Sequence, residues 1–316
     1  MLICRLACFI ALSLFVRGAV AESAVPPVRW LHESALPEIS GLVESRRLPG
    51  HFWALNDSGN APELIAFDRS GKRGARVRLE GVRNVDWEDL AAYQVDGVPM
   101  LAIADCGDNF KRRQQIQLIQ LPEPDPLRDG AVRPQRVREL HYPDGPRDCE
   151  ALLAEPGGQR FLLIDKGEAR THVYATDGNR DRLQRIAEIL HRHPQPMPLV
   201  LPISGRYRGA VTAADLDAAG LRLLALTYTH WLVYHRAADE TWASALARPP
   251  LSQPLPMIRG LEAAAWDRNG GIWISGEGQP APLLHWPPPA QPWARPGPAV
   301  AAPSAASGSE SSPPAR

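Results

Sequence analysis

A short motif recurs five times along this 316-residue chain, and the recurrence limits its possible folds more than any other feature. The copies are Glu38-Ile39-Ser40-Gly41-Leu42-Val43, Trp87-Glu88-Asp89-Leu90-Ala91-Ala92, Cys149-Glu150-Ala151-Leu152-Leu153-Ala154, Val211-Thr212-Ala213-Ala214-Asp215-Leu216 and Leu261-Glu262-Ala263-Ala264-Ala265-Trp266. Each is made mainly of small and apolar residues with a polar residue near its start. Those polar residues are Ser40, Glu88, Glu150, Thr212 and Glu262, spaced by 48, 62, 62 and 50 residues. A second apolar run follows each copy, at 51–55, 100–104, 160–164, 221–226 and 271–274. A polar turn and a third run come next, the latter at 63–67, 116–120, 172–174, 231–234 and 283–286. Short strands with Gly, Asn and Asp turns, repeating every 40 to 60 residues or so, are the signature of propeller blades.

The expected fold is therefore all-β, a β-propeller of five blades, with six as the alternative because two spacings are long. The extra length can equally sit in loops at 122–134 and 191–202. The last copy lacks a fourth strand, and residues 28–32, ahead of the first copy, are expected to supply it. That pairing would close the ring and hide edges that otherwise invite aggregation. Residues 182–192 show helix-like spacing but are read as an outer strand and loop.

The two ends read differently. Arg5, the apolar run 6–16 and Ala19-Val20-Ala21 read as a secretory signal peptide over residues 1–21. The run is too short to span a bilayer. The propeller domain is expected over 22–286. Residues 287–316 are mainly Pro, Ala, Ser and Gly, with nine prolines in thirty positions, and are expected to form a disordered tail. The chain is thus expected in the periplasm or secreted, as a monomer with no integral membrane span once the leader is removed. Zero formal net charge and the lack of a long basic run argue against nucleic acid as a partner, since phosphate binding needs a concentrated basic footprint. Cys106 and Cys149 remain in the mature chain, and an oxidising compartment predicts one disulfide between them.

The innermost strand of every blade lines the propeller axis, so equivalent residues there face one another. Three carboxylates (Glu88, Glu150, Glu262) and two hydroxyls (Ser40, Thr212) would then form one ring. Like charges in a narrow channel need raised pKa values or a cation among them. Calcium takes six to eight oxygen ligands in adaptable geometry and suits such a ring, whereas no His/Cys cluster is present for zinc. Asp57 and Asp105 lie 17 residues beyond Ser40 and Glu88, and Asp165 lies 15 beyond Glu150. All three are expected at the channel mouth as catalytic groups. The bland alternative is that acidic residues beside turns merely cap backbone amides. Lys166 reads as the surface partner of Asp165 or, at the mouth, as a contact for an anion such as phosphate, and Lys111-Arg112-Arg113 as a solvated edge or an anion contact. No Gly-x-Ser-x-Gly elbow, His-Glu-x-x-His, Walker A loop or dinucleotide fingerprint occurs.

The motifs around Ser40, Glu88, Glu150, Thr212 and Glu262 resemble those of the five-bladed calcium-activated nucleotidase (apyrase) family. The chain is also similar to secreted bacterial propellers of an esterase-like phytase-like group, through Trp87 to Ala91, Gly107 to Asn109 and Tyr142 to Pro146. These resemblances imply a central calcium and hydrolysis of a phosphoric ester or anhydride. The competing expectation is a non-catalytic cell-envelope binding or scaffold propeller with a structural calcium, its mouth taking a small molecule or an envelope ligand.

Overall fold

Residues 25–167, 170–190 and 209–289 are described in the computed structural model. The expected leader, and all but the first three residues of the expected tail, lie outside them. Five antiparallel sheets follow one another along the chain, one per copy of the motif. The first holds β2 (Ile39–Glu44), β3 (His51–Asn56), β4 (Glu63–Asp68) and β5 (Arg73–Leu79). The second holds β6 (Trp87–Val95), β7 (Val98–Asp105), β8 (Ile116–Pro122) and β10 (Arg136–Leu140). The third is β11 (Cys149–Ala154), β12 (Phe161–Asp165), β13 (Arg170–Ala175) and β14 (Gln184–Leu190). The fourth is β15 (Val211–Leu216), β16 (Arg222–Thr227), β17 (His230–His235) and β18 (Leu251–Pro254). The fifth is β19 (Leu261–Trp266), β20 (Ile272–Gly276) and β21 (Ala281–Trp286), completed by β1 (Arg29–Leu31) from the other end of the chain. The fold is a five-bladed β-propeller. Five blades hold where six was the alternative; the long second repeat spends its length on connections and an extra edge strand, and the loop expected at 191–202 lies outside the described residues.

Ring closure comes from the segment expected to provide it. Arg29, Trp30 and Leu31 pair with Leu283, Pro282 and Ala281, and Leu31 is buried against the fifth blade. Within the 182–192 stretch, Gln184–Leu190 form the outer strand β14, as their position in the repeat requires, and residues 191–192 lie outside the described residues. Two elements were not expected. Residues 122–134, read as loop, contain β9 (Gly130–Val132), which pairs in parallel with β5 and covers the open edge of the first blade. The connection between β17 and β18 forms one helical turn, α1 (Trp242–Leu246), whose N-cap Thr241 accepts from Ser244 N.

The inner strands β2, β11 and β15 are buried at every residue, so they read as continuous small and apolar runs rather than alternating ones. Wedge-shaped cores fill the gaps between blades. One, between the second and third blades, joins Ala104, Leu118, Leu152 and Leu163; another, between the first and second, joins Trp53, Leu64, Leu90 and Ile103. Small residues are required where inner strands meet: a Cβ on Gly41 would stand 2.9 Å from Asp89 Cα in the next blade. Two buried carboxylates stitch the inner strands together. Asp89 in β6 accepts from Leu152 N of the third blade (2.9 Å), from Leu90 N (2.8 Å) and from Ala214 N of the fourth (3.5 Å). Asp215 in β15 accepts from Leu216 N (2.7 Å) and from Trp266 N of the fifth (2.8 Å). Burial pushes both carboxyls up, Asp215 to about 7, against the pull of these N–H donors.

Candidate functional site

Every inner strand carries a register shift against its second strand, and all five fall at one place. The ladder jumps between Ile39 and Gly41, Trp87 and Asp89, Cys149 and Ala151, Val211 and Ala213, and Leu261 and Ala263. The residues skipped are Ser40, Glu88, Glu150, Thr212 and Glu262. A bulge inserts one unpaired residue and re-aims its side chain. The five residues aligned by sequence pattern are thus the five bulged residues, each at the same level of its blade.

Their side chains are not equivalent in what they touch. Ser40 Oγ donates to Trp87 O at 2.9 Å, and Thr212 Oγ1 donates to Leu261 O at 3.4 Å, so each hydroxyl ties its blade to the next. Glu150 accepts from Lys166 Nζ at 2.9 Å. Lys166 also stands 5.5 Å from the Tyr228 ring centroid, and Tyr228 is close enough to interact electrostatically with Lys166 and Glu262. Glu88 has no hydrogen bond to this ammonium, although it feels both Glu150 and Lys166 electrostatically. Asp57, Asp86 and Glu88 can each present a carboxylate oxygen within 4.8 Å of the others.

The electrostatics follow from this crowding. Burial raises Glu88 well above the ordinary carboxylate range, and Glu150, Asp57 and Asp86 raise it further. Burial, then Asp57, pushes Asp86 up to about 6. Burial lifts Glu150 to about 8 despite its Lys166 partner, and burial lifts Glu262 and Glu277 as well. Lys166 is held above its usual range by Glu150 and Tyr228, although burial opposes this. The site is therefore an acidic funnel with one fixed ammonium inside it.

The three expected mouth aspartates separate by a single residue of register. Asp105 and Asp165 are the last ladder residues of their second strands, paired with Trp87 and Cys149, whereas Asp57 follows the equivalent residue, Asn56. One step along a strand turns a side chain to the opposite face. Asp57 accordingly joins the axial cluster. Asp105 turns away and is held by Arg113 Nη2 at 2.6 Å and Val85 N at 3.2 Å. Asp165 turns away to His172, through N at 2.6 Å and Nδ1 at 2.8 Å, with Arg147 3.8 Å off. The true equivalents of Asp57 are Cys106, Lys166, Tyr228 and Glu277. Lys166 is not the surface partner of Asp165, and Arg113 is not a solvated edge.

Asp86 was missed because the motif was read from Trp87 onward. It lies two residues before Glu88, and side chains two apart in extended chain share a face. Gly107 is required here: a Cβ at this position would stand 1.9 Å from Glu88 Oε1 and 2.6 Å from Asp86 Oδ2. Cys106 and Cys149 are both buried free thiols with sulfurs 2.6 Å apart, beyond the roughly 2.05 Å of an S–S bond. The expected disulfide is absent from the described residues.

No family model and no curated protein matches the chain. Among solved structures, a luciferin-regenerating enzyme is similar, with TM-score 0.44 and 9% identity over 82% of this chain and 94% of that one. An identity this low carries no chemistry across, and the nucleotidase and phytase-like resemblances gain no support from these comparisons. Among the described residues, no helix is long and apolar enough to cross a membrane.

Proposed function

We propose that this propeller is an exported calcium-binding protein whose ion sits at the axial end between Asp57, Asp86 and Glu88, and that it hydrolyses a phosphoric ester or anhydride there. The observation that carries the reading is the approach of three carboxylates from two blades to within 4.8 Å, in a partly buried funnel. Such crowding favours protonation or a bound cation, and a set of oxygen donors suits calcium. Ser40, Thr212 and Glu150 have partners of their own, so three protein ligands would leave coordination positions for water and substrate. The ion would polarise a phosphoryl oxygen, while Lys166 keeps a positive charge in the same funnel.

The experiment is thermal melting of the full chain with and without calcium. A ligand at a hundred times its Kd stabilises the native state by about 2.7 kcal/mol, which for a domain of this size is a rise of at least about 5 °C. Asp86→Asn with Glu88→Gln should abolish the rise. Gly107→Ala should do the same while leaving the fold intact, because its methyl displaces two carboxylate ends rather than backbone. An unchanged melting temperature in wild type would remove calcium from the reading.

A second reading, a scaffold with a purely structural ion, is favoured by the way Ser40 and Thr212 spend their protons on neighbouring blades. Calcium-dependent turnover of phenyl phosphate or a nucleoside triphosphate supports the hydrolase; calcium binding with no turnover of either supports the scaffold. Export rests on the leader-like residues 1–21. The protein recovered from an envelope fraction should begin at Glu22, and an intact Met1 would contradict it.

A further inference from the structure

The end of the propeller away from the acidic funnel carries a second concavity. It has a volume of about 540 Å³ and takes residues from all five blades, where the inner strands end and turn outward. Glu44, Arg46, Asp217 and Arg268 are its charged lining, so by count the charges cancel. Their hydrogen-bonding capacity is not balanced in the same way.

Glu44 is consumed by Gly50 N at 2.9 Å, Arg69 Nη2 at 3.2 Å and Arg268 N at 2.6 Å. Asp217 is consumed by Leu221 N at 2.8 Å and by Arg222, through N at 2.9 Å and Nε at 2.8 Å. The two arginines are not. Arg46 gives its guanidinium Nε to Ala92 O at a long 3.4 Å and makes no ion pair among the described residues. The Arg268 guanidinium donates to no described group, although its backbone N–H is fixed on Glu44. Arg46 feels the buried Asp215 through space, but the carboxylate oxygens there are taken by Leu216 N and Trp266 N. Pro49, Pro156 and neighbouring alanines give the cup rigid apolar walls.

We propose that this cup is a second ligand site, which takes a small organic oxyanion, a carboxylate or phosphate monoester, on Arg46 and Arg268 with its carbon body against the proline and alanine wall. A guanidinium presents paired N–H donors that match an oxyanion, and two unspent ones in a concave site make the anion the complementary ligand. The volume lies within the 300 to 1,000 Å³ or so of small-molecule sites. The inference is independent of the calcium reading, since it uses the other end of the molecule and none of its residues.

The test is calorimetric titration of the full chain, in calcium-free buffer, with inorganic phosphate, phenyl phosphate and benzoate. Saturable binding at about 1 mM or tighter is expected for at least one organic anion. Which one saturates identifies the oxyanion, and a gain of phenyl phosphate over inorganic phosphate reports the apolar wall. Arg46→Met with Arg268→Met should weaken binding at least tenfold, and the paired Lys variants should recover part of it. Glu88→Gln should leave binding unchanged, and the double Met variant should keep any calcium-induced rise in melting temperature. Failure of all three probes to saturate, equal binding by wild type and double Met variant, or loss in Glu88→Gln instead, would each overturn the proposal.

Discussion

A chain that starts after Leu31 should fail to form a cooperative native state. The strand it lacks, β1, is the fourth of the fifth blade, and without it β21 becomes an open edge along Ala281, Pro282 and Leu283. Burial of Leu31 alone contributes about 2 kcal/mol, and each ladder bond about 1 kcal/mol more. Closure also reinforces the seam between the first and fifth blades, which otherwise meet through the core of Leu42, Phe52, Ala263 and Trp273, so its loss weakens that seam. The total exceeds about 5 kcal/mol, a large share of what holds a domain together. The checks are size-exclusion chromatography and a melting curve. Aggregation or a broad, early transition is expected; a monomer melting within about 2 °C of wild type would sink the prediction.

Asp89→Ala should be the most damaging single substitution in the inner ring. Its carboxylate is fully buried and serves three backbone N–H groups, in the second, third and fourth blades. Alanine leaves those buried donors without a protein acceptor. An unsatisfied buried donor costs about 1 to 3 kcal/mol, so the loss should reach about 3 to 5 kcal/mol in urea unfolding. Asp89→Asn keeps one acceptor oxygen and should fall between. A loss below about 1 kcal/mol for the alanine variant would mean that the stitching matters little.

What could be read in the sequence depended on whether a position repeated its residue type. Ser40, Glu88, Glu150, Thr212 and Glu262 share polarity within small, apolar surroundings, and that contrast revealed the bulge in every blade before any register was known. The position one turn further on holds Asp57, Cys106, Lys166, Tyr228 and Glu277, five side chains with no common chemistry. Nothing local marks them as equivalent, and the recurring Asp105 and Asp165 drew the alignment one residue off. Lys166 was hidden for the same reason: its partner, Glu150, is 16 residues away, whereas Asp165 is adjacent. The pairing of β9 with β5 was invisible because a parallel edge contact between distant segments leaves no alternation in either. Arg46 and Arg268 sit where inner strands turn, and a charged turn is unremarkable until its counterions prove to be engaged elsewhere.

The strand that closes the ring is made first and its partner last. A ribosome adding about 5 to 20 residues per second takes on the order of 10 to 50 s to go from Leu31 to Ala281. Throughout that interval β1 exists without its sheet, and four blades can form while the circle stays open. Completion of the circle therefore marks the moment when the whole domain has been synthesised, and a nascent chain cut short before β21 carries an unmatched strand at its front end.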